Sequence, residues 1–392
     1  MTARVSAAWD LGDEIASIRA RGLYRRLRRI DGAEEPEVTV DGRRAILLCS
    51  NNYLGLATDA AVVGAAREAA ERYGAGSGSS RLISGTLALH TALEEQIANW
   101  KGAERALVFS SGYHANLGVI QALVGRGDLL LSDELNHASL IDGCRLSRAE
   151  VRVYPHKDLD ALERELGAAR ARRVLVVTDS IFSMDGDRAP LVEICDLADR
   201  HGAAVMVDEA HATGLLGASG SGLVEELDLR GRVLVEMGTL SKALGSFGAY
   251  VAGSASLIEL LVNRARTFIF TTGLPPAAVG AAQAAVEIVR REPQRRGRAW
   301  QNARAIHAAI GSAGIEMPPL ESPILPVVLG EEDRTMQACE RLLERGVFVQ
   351  GIRPPTVPAG TSRLRATVMA THSDEQIARA GSAIVEALRE LR

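Results

Sequence analysis

The sequence predicts an α/β protein: a large domain with a mostly parallel sheet, joined to a smaller α+β domain. Three observations lead there. Between Arg105 and Leu244, short apolar runs alternate with helical segments, the pattern that builds right-handed crossovers and a sheet covered on both faces. The polar clusters of this region fall just past the ends of the apolar runs, where open α/β sheets bind their ligands. After Pro275-Pro276 the pattern changes to helices, spaced strands and a last helix, and the 392 residues exceed what one core usually holds.

Taken in order, residues 13–29 read as a helix with a basic end (Arg21, Arg25, Arg26, Arg28, Arg29), and residues 38–48 as a short hairpin. Asn51 to Leu56 is a polar, glycine-bearing turn of the kind that meets ligands. A helix over 60–72 leads into the polar loop 74–80, which superficially resembles a dinucleotide fingerprint. That fingerprint follows a strand, whereas this loop follows a helix. Strands are expected at 106–109, 129–131, 151–154, 174–177, 203–207 and 233–236. The helices between them are one ending at Leu123, then 139–146, 159–171, and 191–201 closed by Gly202. Beyond Pro276, helices over 277–291 and 295–310 precede strands at 324–329, 347–351 and 363–369, and Ser373 to Gln376 forms a capping box for the final helix. The expected division is an N-terminal segment 1–48 packing with the small domain, a large domain 49–285 and a small domain 286–392.

Composition narrows the function. With 47% hydrophobic and 24% charged residues and a net charge of -4, the chain has an ordinary globular make-up and no surplus of positive charge for nucleic acid. No apolar run nears the ~18 to 20 residues that span a bilayer, and the N-terminus lacks a signal-peptide block, so a cytoplasmic protein without membrane contact is expected. Cys49, Cys144, Cys195 and Cys339 stand singly, as reduced core thiols do, and no metal-ligand spacing is present.

The chemistry centres on residues 233–251, where a valine-rich strand ends at Gly238 and hands over to Thr239-Leu240-Ser241-Lys242. A lysine among Leu240, Ala243, Leu244 and Phe247 would lose hydration, which favours the neutral amine that forms Schiff bases. Alone, Lys242 reads equally well as an exposed lysine beside a flexible glycine turn. Asp208-Glu209-Ala210-His211, also at a strand end, spells a nucleotide-hydrolase acidic box, but the Gly-Lys pair of a phosphate loop is missing from the chain. Asp208 could simply cap the next turn, or it could hold the protonated ring nitrogen of pyridoxal 5'-phosphate (PLP).

Together with Phe109-Ser110-Ser111-Gly112-Tyr113, Asn136-His137-Ala138-Ser139-Leu140 and Phe182-Ser183-Met184-Asp185-Gly186-Asp187, these motifs make the chain resemble the α-oxoamine synthase family, PLP enzymes of the type I aminotransferase fold. The resemblance covers nearly the whole chain. It implies that Lys242 is the Schiff-base lysine and the base for the α-proton, that His137 stacks on the cofactor ring, and that Asp208 pairs with the ring N–H. His211 and Ser183 would then hydrogen-bond the ring oxygen. Gly112, Tyr113 and Thr239 would hold the phosphate, helped by Thr271 and Thr272 of a neighbouring subunit in a homodimer. Arg365, with Asn51, would bind the substrate carboxylate, and Arg25 the acyl chain's carboxylate. The run 352–365 resembles the biotin-pathway members, which implies condensation of L-alanine with a pimeloyl thioester, carried by CoA or acyl carrier protein, with loss of CO2. The sister reaction of glycine with acetyl-CoA and a non-catalytic regulatory PLP-fold protein are the alternatives. His114 and Ala212 depart from the commoner family pattern, and His114 is expected on a helix surface.

Overall fold

The computed structural model describes residues 11–391. Helix α1 (Leu11–Ala20) and strand β1 (Ile30–Asp31) precede a hairpin of β2 (Glu37–Val40) and β3 (Arg43–Leu47). The hairpin turns at Asp41-Gly42, both at positive φ (48° and 81°), whose twist suits the two strands. Helix α1 does not reach Arg29: Gly22 adopts a φ of 68° and the chain continues without helix. Helix α2 (Ala60–Tyr73) is capped by Asp59, whose side chain accepts from the Ala61 amide. Helix α3 (Ala88–Lys101) is absent from the sequence-based expectation, although Leu89, Leu93, Ile97 and Trp100 have helical spacing and are buried.

The central sheet comprises β4 (Arg105–Phe109), β5 (Leu129–Asp133), β6 (Glu150–Tyr154), β7 (Val174–Asp179), β8 (Ala204–Asp208), β9 (Val235–Thr239) and β10 (Ala249–Gly253). Between these strands lie α4 (Gly112–Leu123), α5 (Ala138–Ser147), α6 (Leu159–Ala168), α7 (Leu191–His201) and the short α8 (Leu223–Glu226). The strand order is β4-β10-β9-β8-β7-β5-β6. Strands β6, β5, β7, β8 and β9 run parallel, while β10 is antiparallel to both its neighbours. β10 is missing from the sequence reading because a five-residue apolar run after a glycine loop carries no strand-specific period. The middle strands are buried on both faces. Leu129, Leu131, Val176, Val205 and Val207 point into one core, whereas Leu130, Leu175, Val177, Met206, Val235 and Met237 point into another, which is why these strands read as continuous apolar runs.

Helices α9 (Ala255–Arg264), α10 (Arg266–Ile269), α11 (Pro276–Arg291) and α12 (Pro293–Ser312) lead to β11 (Ile324–Gly330), α13 (Glu332–Glu344), β12 (Val347–Phe348), β13 (Gln350–Ile352), β14 (Ser362–Thr367) and α14 (Asp374–Arg389). Helix α13 was not expected. The strand read at 347–351 is two strands: β12 pairs with β3 from the chain's start, and β13 pairs with β14. A third core gathers Ile46 and Leu48 with Ile306, Leu325, Leu342, Leu364 and Ile384, so both ends of the chain pack on one another.

Candidate active site

The site lies at the carboxyl ends of the central parallel strands, where Asp179 ends β7, Asp208 ends β8 and Thr239 ends β9. Lys242 sits on the turn between β9 and β10. Two glycines make that turn possible. Gly245 (φ 61°) would press a Cβ to 2.2 Å from the Ala57 amide nitrogen, and Gly248 (φ 106°) would press one to 3.0 Å from the Phe109 carbonyl. Lys242 is half-buried, with Leu240, Ala243 and Leu244 fully buried beside it, whereas Phe247, expected in the same shell, faces solvent. Among the described residues the Lys242 amine has no hydrogen bond and no salt bridge. Burial lowers its pKa, opposed by the charges of Asp208 and Asp179 and reinforced by Arg365.

Asp208 is buried and fixed at both oxygens: Oδ1 accepts from the Ala210 amide at 2.8 Å and Oδ2 from Asn116 Nδ2 at 2.7 Å. Asn116, on the inner face of α4, also donates to Ser139 Oγ at 2.8 Å. Asp179 is directly opposite Asp208 in the strand register and accepts the His137 amide at 2.7 Å. Burial, then the neighbouring Asp208 charge, pushes the Asp179 carboxyl well above the usual range.

His137 caps α5, its Nδ1 accepting the Ser139 amide at 3.3 Å. With Nδ1 an acceptor, the ring proton of a neutral imidazole sits on Nε2, which becomes a donor. Burial and then the Lys242 charge lower the His137 pKa against the pull of Asp208, so the ring is neutral at pH 7. The residue is nevertheless open to solvent in the cleft. His211 is buried with Nδ1 2.8 Å from the Tyr53 hydroxyl. Burial and the charges of Lys242 and Arg365 hold its pKa well below the ordinary value.

Arg365, buried on β14, approaches from the other side. Both of its terminal nitrogens lie 3.3 Å from Asn51 Oδ1, and Nε donates to the Ser183 carbonyl. Gly112 opens α4 against the end of β9, where a Cβ would come within 2.8 Å of Thr239 Cγ2. The first amides of α4, at Gly112 and Tyr113, have no intrahelical acceptor and can bind an anion.

The structure thus brings together Lys242, Asp208, His137, His211, Asn51 and Arg365, with Ser183, Gly112, Tyr113 and Thr239 at the margins of the same cleft. Thr271 and Thr272 stand on a separate segment, where Thr272 bridges to Ser80. Arg25 lies in the exposed stretch that lines a cavity of about 930 Å³ with Arg353 and Phe348. His114 is on the helix surface, 2.6 Å from Ser110 Oγ. Asn116, Asp179 and Tyr53 were not singled out from sequence. Asp179 obeys the same strand-end rule as Asp208, and Asn116 is a polar residue on the buried side of an apolar helix, so both signals were present.

The sequence profile of the aminotransferase class I and II family matches residues 43–384. The chain belongs to that family. A relative from Geobacter sulfurreducens, 8-amino-7-oxononanoate synthase, is 53% identical over 97% of this chain and 98% of its own. Among solved structures, a serine palmitoyltransferase from S. paucimobilis with PLP and myriocin bound is 33% identical, covers 99% of both chains and has a TM-score of 0.93. The 8-amino-7-oxononanoate synthase of Francisella tularensis is 26% identical, covering 88% of this chain and 98% of its own, with a TM-score of 0.75. These relatives identify the chain as an α-oxoamine synthase of the type I aminotransferase fold. Among the described residues, no helix is long and apolar enough to cross a membrane.

Proposed function

We propose that this chain condenses L-alanine with a pimeloyl thioester, releasing CO2 and the carrier thiol and giving 8-amino-7-oxononanoate for biotin synthesis. The observation that carries this reading is 53% identity to a synthase of that name along nearly the full length of both chains. The backbone overlays better on serine palmitoyltransferase than on the F. tularensis enzyme, but substrate choice follows side chains, and there the sequence likeness favours the synthase.

PLP is the cofactor. The residues present fit it: an unpartnered amine at Lys242, a fixed buried carboxylate at Asp208, an open imidazole at His137 and free amides where Gly112 approaches Thr239. When bound, PLP supplies an electron sink for the Cα of the amino acid. The chain's own residues do the rest. Asp208, held by Asn116 and the Ala210 amide, would pair with the ring N–H, and His211 and Ser183 would hydrogen-bond the ring oxygen. Gly112, Tyr113 and Thr239 would hold the phosphate. Arg365, aligned by Asn51 and the Ser183 carbonyl, holds the alanine carboxylate with a two-pronged contact. Lys242, its charged form disfavoured by burial, anchors the cofactor and accepts the α-proton. His137 covers the ring, and its Nε2–H is the donor for the thioester carbonyl as negative charge develops there. Arg25 takes the far carboxylate of the acyl chain.

We further propose a cytoplasmic homodimer in which Thr271 and Thr272 reach the neighbour's phosphate site. The exposure of Ile83 (80%) and Phe270 (70%) near that segment supports a second copy there. The division at 48/49 and 285/286 is proposed on the same footing, supported by the separate core that Ile46 and Leu48 share with the C-terminal residues. Steady-state turnover decides the activity. Alanine with pimeloyl-CoA is expected to exceed both glycine with acetyl-CoA and serine with palmitoyl-CoA; a preference for either other pair overturns the assignment.

A further inference from the structure

Behind the site, His156 stands between two carboxylates. Its Nδ1 is 2.9 Å from Asp133 Oδ1 and its Nε2 is 2.9 Å from Asp187 Oδ2. A neutral imidazole has one donor, so satisfying both acceptors takes the doubly protonated ring. Asp133 ends β5 and starts the turn to His137, accepting the Leu135 amide at 2.9 Å and the Lys157 amide at 3.0 Å. Asp187 closes the tight loop 182–187, its carbonyl accepting the Phe182 amide at 3.0 Å. That loop carries Ser183, whose carbonyl holds Arg365, and Asp185, which pairs with Arg363 two residues earlier on β14. The Phe182 ring meets the His156 ring edge-on at 4.3 Å.

We propose that the His156 imidazolium is a positioning residue, a strut that fixes the turn bearing His137 relative to the loop that aligns Arg365, and so sets the affinity for the amino acid's carboxylate. The inference rests on the function proposed above. The groups facing the ring are Asp133, Asp187, the Lys157 ammonium 2.9 Å from Asp187, and Glu134, which accepts the His156 amide at 2.9 Å. Burial opposes the charge, but the hydrogen bonds and charges of the two aspartates outweigh it and raise the pKa to about 9. The strut is therefore intact at pH 7 and opens as the pH rises through 9. Lys157 keeps Asp187 partly satisfied, so opening loosens the loops rather than unfolding the chain.

The test uses His156→Gln, which cannot bridge both carboxylates with donors, and His156→Arg, which donates twice and does not titrate in this range. In the holoenzyme, H156Q is expected to raise KM for L-alanine about tenfold with kcat within about threefold, a loss confined to binding, and H156R to restore it. Wild-type KM should climb above pH 9 more steeply than that of H156R; alanine's own ammonium titrates equally in both, so the difference isolates His156. In the cofactor-free protein, amide exchange at 135–137 and 182–187 should quicken in H156Q alone. Wild-type KM and exchange in H156Q would overturn the strut. Absence of alanine turnover in wild type would overturn the proposed function instead, while the exchange measurement would still decide the strut.

Discussion

Two lysines lie beside consecutive carboxylates, and the protein treats them in opposite ways. Lys101, on α3, is completely buried. It pairs with Glu209, with Glu236 at 2.8 Å and with the Ser221 carbonyl at 2.9 Å. Burial opposes its charge, but the two glutamates outweigh it and raise its pKa well above the ordinary value. Lys242 has Asp208 and Asp179 nearby but, among the described residues, no hydrogen bond or salt bridge at its amine, and its pKa is lowered. Side chains alternate along a strand, so Asp208 at the end of β8 and Glu209 after it face opposite ways, one toward the cleft and one toward α3. A lysine meant to stay charged is given direct partners. The lysine proposed to react is given burial and charges that act only at a distance, because Asp208 is already satisfied by Asn116 and the Ala210 amide. The chain's remaining lysine, Lys157, is salt-bridged to Asp187.

The largest expected effect tests the member proposed to react. Lys242→Ala should lower kcat/KM by about 1000-fold or more, since nucleophile and base are lost together, while the thermal midpoint stays level or rises because a desolvated amine is removed. Next comes the structural member. Lys101→Met leaves Glu209 and Glu236 buried without a cation and should cost about 3–5 kcal/mol in urea unfolding. Adding Glu209→Gln and Glu236→Gln should recover most of that cost, and failure to recover would mean that Lys101 stabilises through packing.

A buried histidine offers a check through pH. Burial pushes His372 down to about 4, so the folded state binds fewer protons than the unfolded chain between pH 4 and 6.5. Stability from this residue is therefore present above pH 6.5 and lost on acidification toward 4, by up to about 3 kcal/mol. His372→Asn, which can still accept the Met369 amide, should flatten that slope in unfolding measured across pH. The smallest effect concerns the cation whose charge adds to the lowering of the Lys242 pKa. Arg365→Lys keeps the charge but loses the fork, and should raise KM for L-alanine roughly tenfold with little change in kcat.

Much of this was legible in the chain. The parallel strands could be read because β5, β7 and β8 each begin with an unbroken apolar run, and the candidate site because its polar residues fall at or just past the ends of those strands. The hydration loss expected at Lys242 is real, although Phe247 takes no part in it. What the sequence hid are pairings that only folding defines. Lys101 meets Glu209 across 108 positions and Glu236 across a strand, and nothing local marks α3 as carrying an ion partner. Tyr53 meets His211 from 158 residues away, and β12 separates from β13 because β3, from the far end of the chain, pairs with one and not the other.

The contrast among the three lysines can be tested on the protein itself. The PLP-loaded enzyme is reduced with borohydride, which makes any bond between cofactor and lysine permanent, and the peptides are mapped by mass. The pyridoxyl mass is expected on the Lys242 peptide alone, with Lys101 and Lys157 unlabelled; label on either of those, or none on Lys242, would contradict the assignment of Lys242 as the cofactor's lysine.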